Sequence, residues 1–186
     1  MREPEINRKS LTRRLFALGL LVVALAPVGF AQRAAWRQAT DAELAALLPA
    51  RAPVEKEHIE TEMRTASGIT DGKGHFIAGV VLITAGYSAD GKYSHYLVVQ
   101  SPIRMGGVAL GPGEYVFGWE RSKDGSGLSV HLNQAADGKQ LGIVEAHQLT
   151  GKVGVVSLRI WPPGEKPVLQ IGRFGISYEL GEVYVL

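Results

Sequence analysis

The chain of 186 residues contains no cysteine. That absence excludes disulfide staples, thiol nucleophiles and thiolate metal sites together, and it excludes a lipid anchor built on a cysteine after an export signal. Sequence signatures of chemistry are missing as well: there is no phosphate-binding Gly-rich loop, dinucleotide fingerprint, His-Glu-x-x-His helix or Gly-x-Ser-x-Gly elbow. Histidines are few. His58, His75, His95, His131 and His147 stand singly, with no two at i,i+2 or i,i+4 spacing, so a metal site would need three to converge from separate strands. No catalytic, cofactor-binding or metal-binding residue is assigned on these grounds, and no cofactor is expected.

What is present begins with a leader. Arg8, Lys9, Arg13 and Arg14 form a basic region, Leu15 to Ala26 an uncharged apolar run, and Pro27 to Ala31 a helix-breaking end with small residues two apart. This is the layout of a signal-peptide helix over residues 1–31, cleaved after Ala31. The alternative is an uncleaved anchor, for which Leu15 to Ala31 is barely long enough. Export by the general route is expected, although Arg13-Arg14 also fits a twin-arginine signal. The leader carries five of the 20 Lys and Arg and two of the 18 Asp and Glu, which leaves 15 basic and 16 acidic residues. A net charge of about −1 does not support a nucleic-acid partner. The expected location is periplasmic or extracellular, with no stable membrane span once the leader is gone.

Residues 32–52 read as a lead-in. Thr40 and Glu43 have capping-box spacing, which predicts a short helix from Asp41 to Leu48 ended by Pro49; Leu44, Leu47 and Leu48 give it one apolar stripe to dock on a sheet. Residues 53–186 read as β. Ile59, Thr61, Met63 and Thr65 alternate with charged residues at strand period, while Glu55, Glu57, Glu60 and Glu62 read as a solvated face before a cation site. Phe76 to Thr84 is apolar without interruption, as in a central strand covered on both faces. Asp90-Gly91 and Asp137-Gly138 are hairpin signals. Turn residues recur every 8 to 12 residues. The fold class expected is all-β, an antiparallel β-sandwich or alternatively a small β-barrel, of eight to ten strands.

The central run is Leu110-Gly111-Pro112-Gly113-Glu114-Tyr115-Val116-Phe117-Gly118-Trp119. Tyr115, Phe117 and Trp119 recur every second residue, so one strand face carries three aromatics. Burial of all three would contribute on the order of 10 kcal/mol before entropy is subtracted. Leu110 to Phe117 resembles the Leu-x-x-Gly-x-Tyr stretch of secreted transthyretin-like and carboxypeptidase-regulatory-like β-sandwich modules. Thr70-Asp71-Gly72-Lys73-Gly74-His75-Phe76 is similar to the turn that precedes that stretch in those modules, with an extra apolar hairpin between the two here. The chain as a whole resembles uncharacterised secreted bacterial proteins of this type. The resemblance implies a scaffold and brings no catalytic residues.

Tyr87, Tyr93 and Tyr96 flank the Asp90-Gly91 turn and are candidates for a surface or ligand contact, with cross-strand stapling of the hairpin as the structural alternative. Ser94-His95 and Ser129-Val130-His131 place a hydroxyl near an imidazole. Strand alternation sends Ser94 and His95 to opposite faces, and Ser129 with His131 lacks an orienting carboxylate, so hydrolysis ranks last. The expected function is an exported, non-enzymatic module with a binding or structural role toward an unidentified protein or envelope component. A carrier of a small apolar ligand is the alternative, with aromatics lining a cavity. The apolar residues from Tyr178 to Leu186 offer an edge for a homo-oligomer.

Overall fold

Thr40 has the extended backbone of an N-cap; its hydroxyl accepts the Glu43 N–H, and the Glu43 carboxylate accepts the Thr40 N–H at 2.8 Å. This capping box opens helix α1, Asp41–Leu47, and Pro49 allows it to go no further. Leu44 and Leu48 are buried and Leu47 is partly so, so the expected stripe docks on the sheet. These positions come from a computed structural model that describes residues 36–181; the leader over residues 1–31 and the tail over 182–186 lie outside the described residues.

Thirteen strands follow in chain order among the described residues: β1 Arg37–Gln38, β2 Arg51–Val54, β3 Glu57–Thr70, β4 Phe76–Leu82, β5 His95–Val99, β6 Ile103–Met105, β7 Val108–Leu110, β8 Gly113–Arg121, β9 Gly127–Gln134, β10 Gln140–Gln148, β11 Val156–Ile160, β12 Val168–Gly172 and β13 Phe174–Leu180. The count exceeds the eight to ten expected, because β1 has two residues, β2 carries Pro53, and Gly106-Gly107 divides one expected strand into β6 and β7. Both of those glycines have positive φ, 52° and 93°, as a two-residue type I′ hairpin turn requires. The main path runs β1-β3-β4-β5-β8-β9-β10-β13-β12-β11 with antiparallel neighbours. The sheet curls until β11 packs back against β3 and β4. The all-β antiparallel class is what the chain adopts, as a nearly closed, barrel-like sheet.

Alternation along the strands sorts the core into two layers. Ile77, Leu97, Val99, Tyr115 and Phe117 point into the barrel with Leu132, Val144, Ile160 and Ile176. Ala78, Val80, Leu82, Tyr96, Val98 and Val116 point the other way, under α1, β2 and the 83–94 loop, with Leu44, Val54 and Ile59. The unbroken apolar run of β4 is thus covered on both faces, as its composition predicts. Gly79 assists closure of the barrel. A Cβ built there would stand 3.0 Å from the Leu158 Cδ2 of β11, so the missing side chain leaves room for β11.

Strand β13 pairs with β10 at only two positions, His147 with Gly175 and Gln148 with Phe174, before diverging to pair with β6. The β6–β7 hairpin fills the wedge so created and buries Ile103, Met105 and Leu110. At the opposite end of the barrel no such hairpin lies among the described residues.

Candidate functional site

Antiparallel order brings the ends of β4, β8, β10 and β12 and the starts of β5, β9, β11 and β13 to one rim. That rim surrounds an open cleft of about 840 Å³, within the range of small-molecule sites. Its floor is apolar, with Leu128, Ile171 and Phe174 at 5% exposure or less. Trp119 stands at its edge and is 43% exposed, a correction to the expectation that all three aromatics of the run anchor the core. Tyr115 and Phe117 do so, at 8% and 1% exposure. Trp119 continues their face, but two residues further along β8 the barrel has ended, and the indole faces the cleft.

The charges that line the cleft are the guanidinium groups of Arg121 and Arg173, and no carboxylate lines it among the described residues. Neither arginine has an ion-pair partner among the described residues. Arg121 stands over the Phe174 ring, 5.5 Å from its centroid. The mouth therefore joins an apolar floor to a positive rim.

Ser94 and His95 sit at the same mouth, and here the alternation argument is corrected. The Ser94 Oγ lies 2.7 Å from the His95 Nδ1. Alternation governs where Cβ atoms point; Nδ1 lies only one bond past Cγ, near its own backbone, and at the first residue of β5 the preceding hydroxyl reaches it. The other ring nitrogen settles the tautomer. His95 Nε2 is 3.2 Å from the Ser157 carbonyl oxygen, which can only accept, so Nε2 carries the hydrogen. Nδ1 is then the acceptor, and the Ser94 hydroxyl donates to it at the shorter distance, with the Phe117 carbonyl oxygen a second acceptor at 3.3 Å. The ring is 4% exposed and stacked on Phe117, with centroids 4.6 Å apart and planes 6° from parallel. Burial pushes its pKa down to about 4, against the smaller opposing effect of the Ser157 bond. His95 is thus neutral near pH 7 and fixed in orientation. The signal in the sequence was a histidine inside the otherwise apolar run His95-Tyr96-Leu97-Val98-Val99.

The other candidates are dispersed. Tyr93 and Tyr96 are 3% and 0% exposed in the outer core layer, which corrects their placement at a surface. The Tyr93 hydroxyl donates to Glu55 at 2.8 Å. Burial and the nearby Glu114 charge raise the pKa of Tyr96, whose hydroxyl has no hydrogen-bond partner among the described residues. Tyr87 is half-buried, donates to Glu60 and accepts from Arg51. The three residues lie apart from the cleft, and the connection they flank is the 83–94 loop in place of a tight turn, since β4 ends at Leu82 and β5 starts at His95. The acidic residues of this region are individually engaged, Glu55 by Lys92, Glu57 by Ser88, Glu60 by Arg51 and Glu62 by Arg64. Ser129 donates to Glu145 at 2.9 Å, a partner other than His131. Among the described residues no group of three His, Asp or Glu could hold a metal ion, and no helix is long and apolar enough to cross a membrane.

Comparison with family models, curated proteins and solved structures finds no match to the chain.

Proposed function

We propose that the chain is an exported binding protein whose barrel mouth takes a small apolar ligand bearing a negative charge. The observation that carries this reading is the composition of the cleft. Trp119 is left 43% exposed above a floor of buried aliphatic and aromatic side chains, and among the described residues the charges at the rim are positive. Exposed aromatic surface costs solvation free energy unless something covers it for part of the time. An amphipathic anion matches both halves: its apolar body lies against Trp119, Phe174 and Leu128, and its charged group meets Arg121 and Arg173. The basic and apolar leader over residues 1–31 supports export to the periplasm or the outside.

Tryptophan emission tests the assignment. Titration with decanoate shifts and saturates the emission of the protein, and Trp119→Phe removes the response while Trp36 and Trp161 still emit. Decanol, with the same chain and no charge, binds at least tenfold more weakly, which corresponds to about 1.4 kcal/mol. An emission spectrum indifferent to both compounds overturns the reading.

A further inference from the structure

We propose that Ser94 and His95 are a nucleophile and base that accept an acyl group from an ester bound in the cleft. The inference rests on the reading of the cleft as a ligand site and adds a reaction to it. Three observations support it. Ser94 lines the open cleft and is only partly buried, so a substrate carbonyl can approach it. Its hydrogen bond runs to the unprotonated nitrogen of the imidazole at 2.7 Å, the geometry by which a general base activates a hydroxyl. The second ring nitrogen donates to the Ser157 carbonyl, which orients the ring and fixes its tautomer, the task a carboxylate performs in a Ser-His-Asp triad.

The step balances within the cleft. As the Ser94 Oγ forms its bond to the ester carbonyl carbon, its proton passes to His95 Nδ1 and the carbonyl π pair moves onto oxygen. The resulting anion has the sign that the guanidinium groups of Arg121 and Arg173 favour. When the tetrahedral carbon collapses, the bond to the leaving oxygen breaks and the proton on Nδ1 goes to that oxygen, giving an alcohol and acyl-Ser94. Water then repeats the sequence: it loses a proton to Nδ1, bonds to the acyl carbon, and displaces the Ser94 Oγ, which takes the proton back. The products are a carboxylic acid and the free serine.

Burial makes His95 a weak base, so it activates the Ser94 hydroxyl only modestly. Esters with acidic leaving alcohols are therefore the matched substrates, and amides are not. Among the described residues the charged groups that share the cleft with His95 are Arg121 and Arg173.

p-Nitrophenyl hexanoate and the full chain supply the test. The expected result is release of p-nitrophenolate together with one hexanoyl group on the peptide that contains Ser94, and a stable diethylphosphoryl group on the same peptide when diethyl p-nitrophenyl phosphate is used instead. Ser94→Ala loses the adduct and slows release by about 100-fold or more. A parallel reading avoids dependence on a buried substitution: in the wild-type chain the release rate falls as pH drops toward 4, following protonation of His95. Labelling confined to lysines, or equal rates in the Ser94→Ala variant, overturns the pair. Decanoate binding without a Ser94 adduct rejects the nucleophile and leaves the binding site standing; failure of both rejects both.

Discussion

The backbone N–H of Ile160 donates to the Ser67 hydroxyl at 2.9 Å, a buried bond between residues 93 apart in sequence. It lies where the curled sheet comes back on itself. Strand β11 has a ladder partner only in β12 among the described residues, so this bond ties it to β3, while Leu158 packs against Gly79 of β4. Ser67 ends the irregular stretch of β3 between Glu62 and Ser67, which frees its hydroxyl to act as a ladder acceptor. Ser67→Ala leaves the Ile160 N–H buried without that acceptor and costs about 1–3 kcal/mol. The change appears as a lower urea midpoint with an unchanged slope; an unaltered midpoint would mean that the seam closes by apolar packing alone.

His95 couples the mouth to acid stability. The unfolded chain takes up a proton near the ordinary histidine value of 6.5, whereas the folded chain resists it down to about 4. Between those values the unfolded state binds more protons, so stability is full above pH 6.5 and declines as pH falls. The loss from this group approaches about 3 kcal/mol by pH 4. Surface carboxylates also contribute there, so the difference between wild type and His95→Gln isolates it: the variant shows a shallower fall in urea midpoint from pH 7 to pH 4.5. Parallel curves for the two proteins would refute the buried, neutral histidine.

Period-2 alternation and turn chemistry made the strands of the barrel legible, and Thr40 with Glu43 located the helix. The unbroken run from Phe76 to Leu82 announced two covered faces, and two are present. What escaped the sequence depends on where a strand stops. Tyr115, Phe117 and Trp119 are equivalent in period, yet the barrel wall ends between the second and third. Ser94 and His95 meet because one of them opens a strand, and the ring's partner Ser157 lies 62 residues away. No local pattern encodes that distance, and the cleft's two arginines likewise stand far apart in the chain, Arg121 at the end of β8 and Arg173 between β12 and β13.

Gly118 shows how the outer layer constrains the aromatic strand. A Cβ at this position would run into the carbonyl oxygen of Lys92, which belongs to the 83–94 loop and is fixed by the Lys92 N–H bond to Ala89 at 2.9 Å and the neighbouring Tyr93 bond to Glu55. Backbone cannot step aside as a flexible side chain would, so Gly118→Ala costs about 1–3 kcal/mol and loosens the loop. Faster amide exchange at Lys92 and Tyr93 with a lowered melting temperature is the expected pair of results. A neutral substitution would show that the loop does not press on β8.

The two inward aromatics and the one at the mouth separate stability from binding. Phe117 is 1% exposed and stacked on His95, so Phe117→Ala opens a cavity and costs about 3–5 kcal/mol. Trp119 leaves much of its surface in water already, and Trp119→Ala costs less than about 1 kcal/mol while abolishing the decanoate response. Equal spacing in the run would instead give them equal weight. Urea denaturation of both variants decides between the two orders: a Trp119→Ala protein as destabilised as Phe117→Ala would mean that the indole packs into the barrel and that the mouth has no exposed aromatic to offer a ligand.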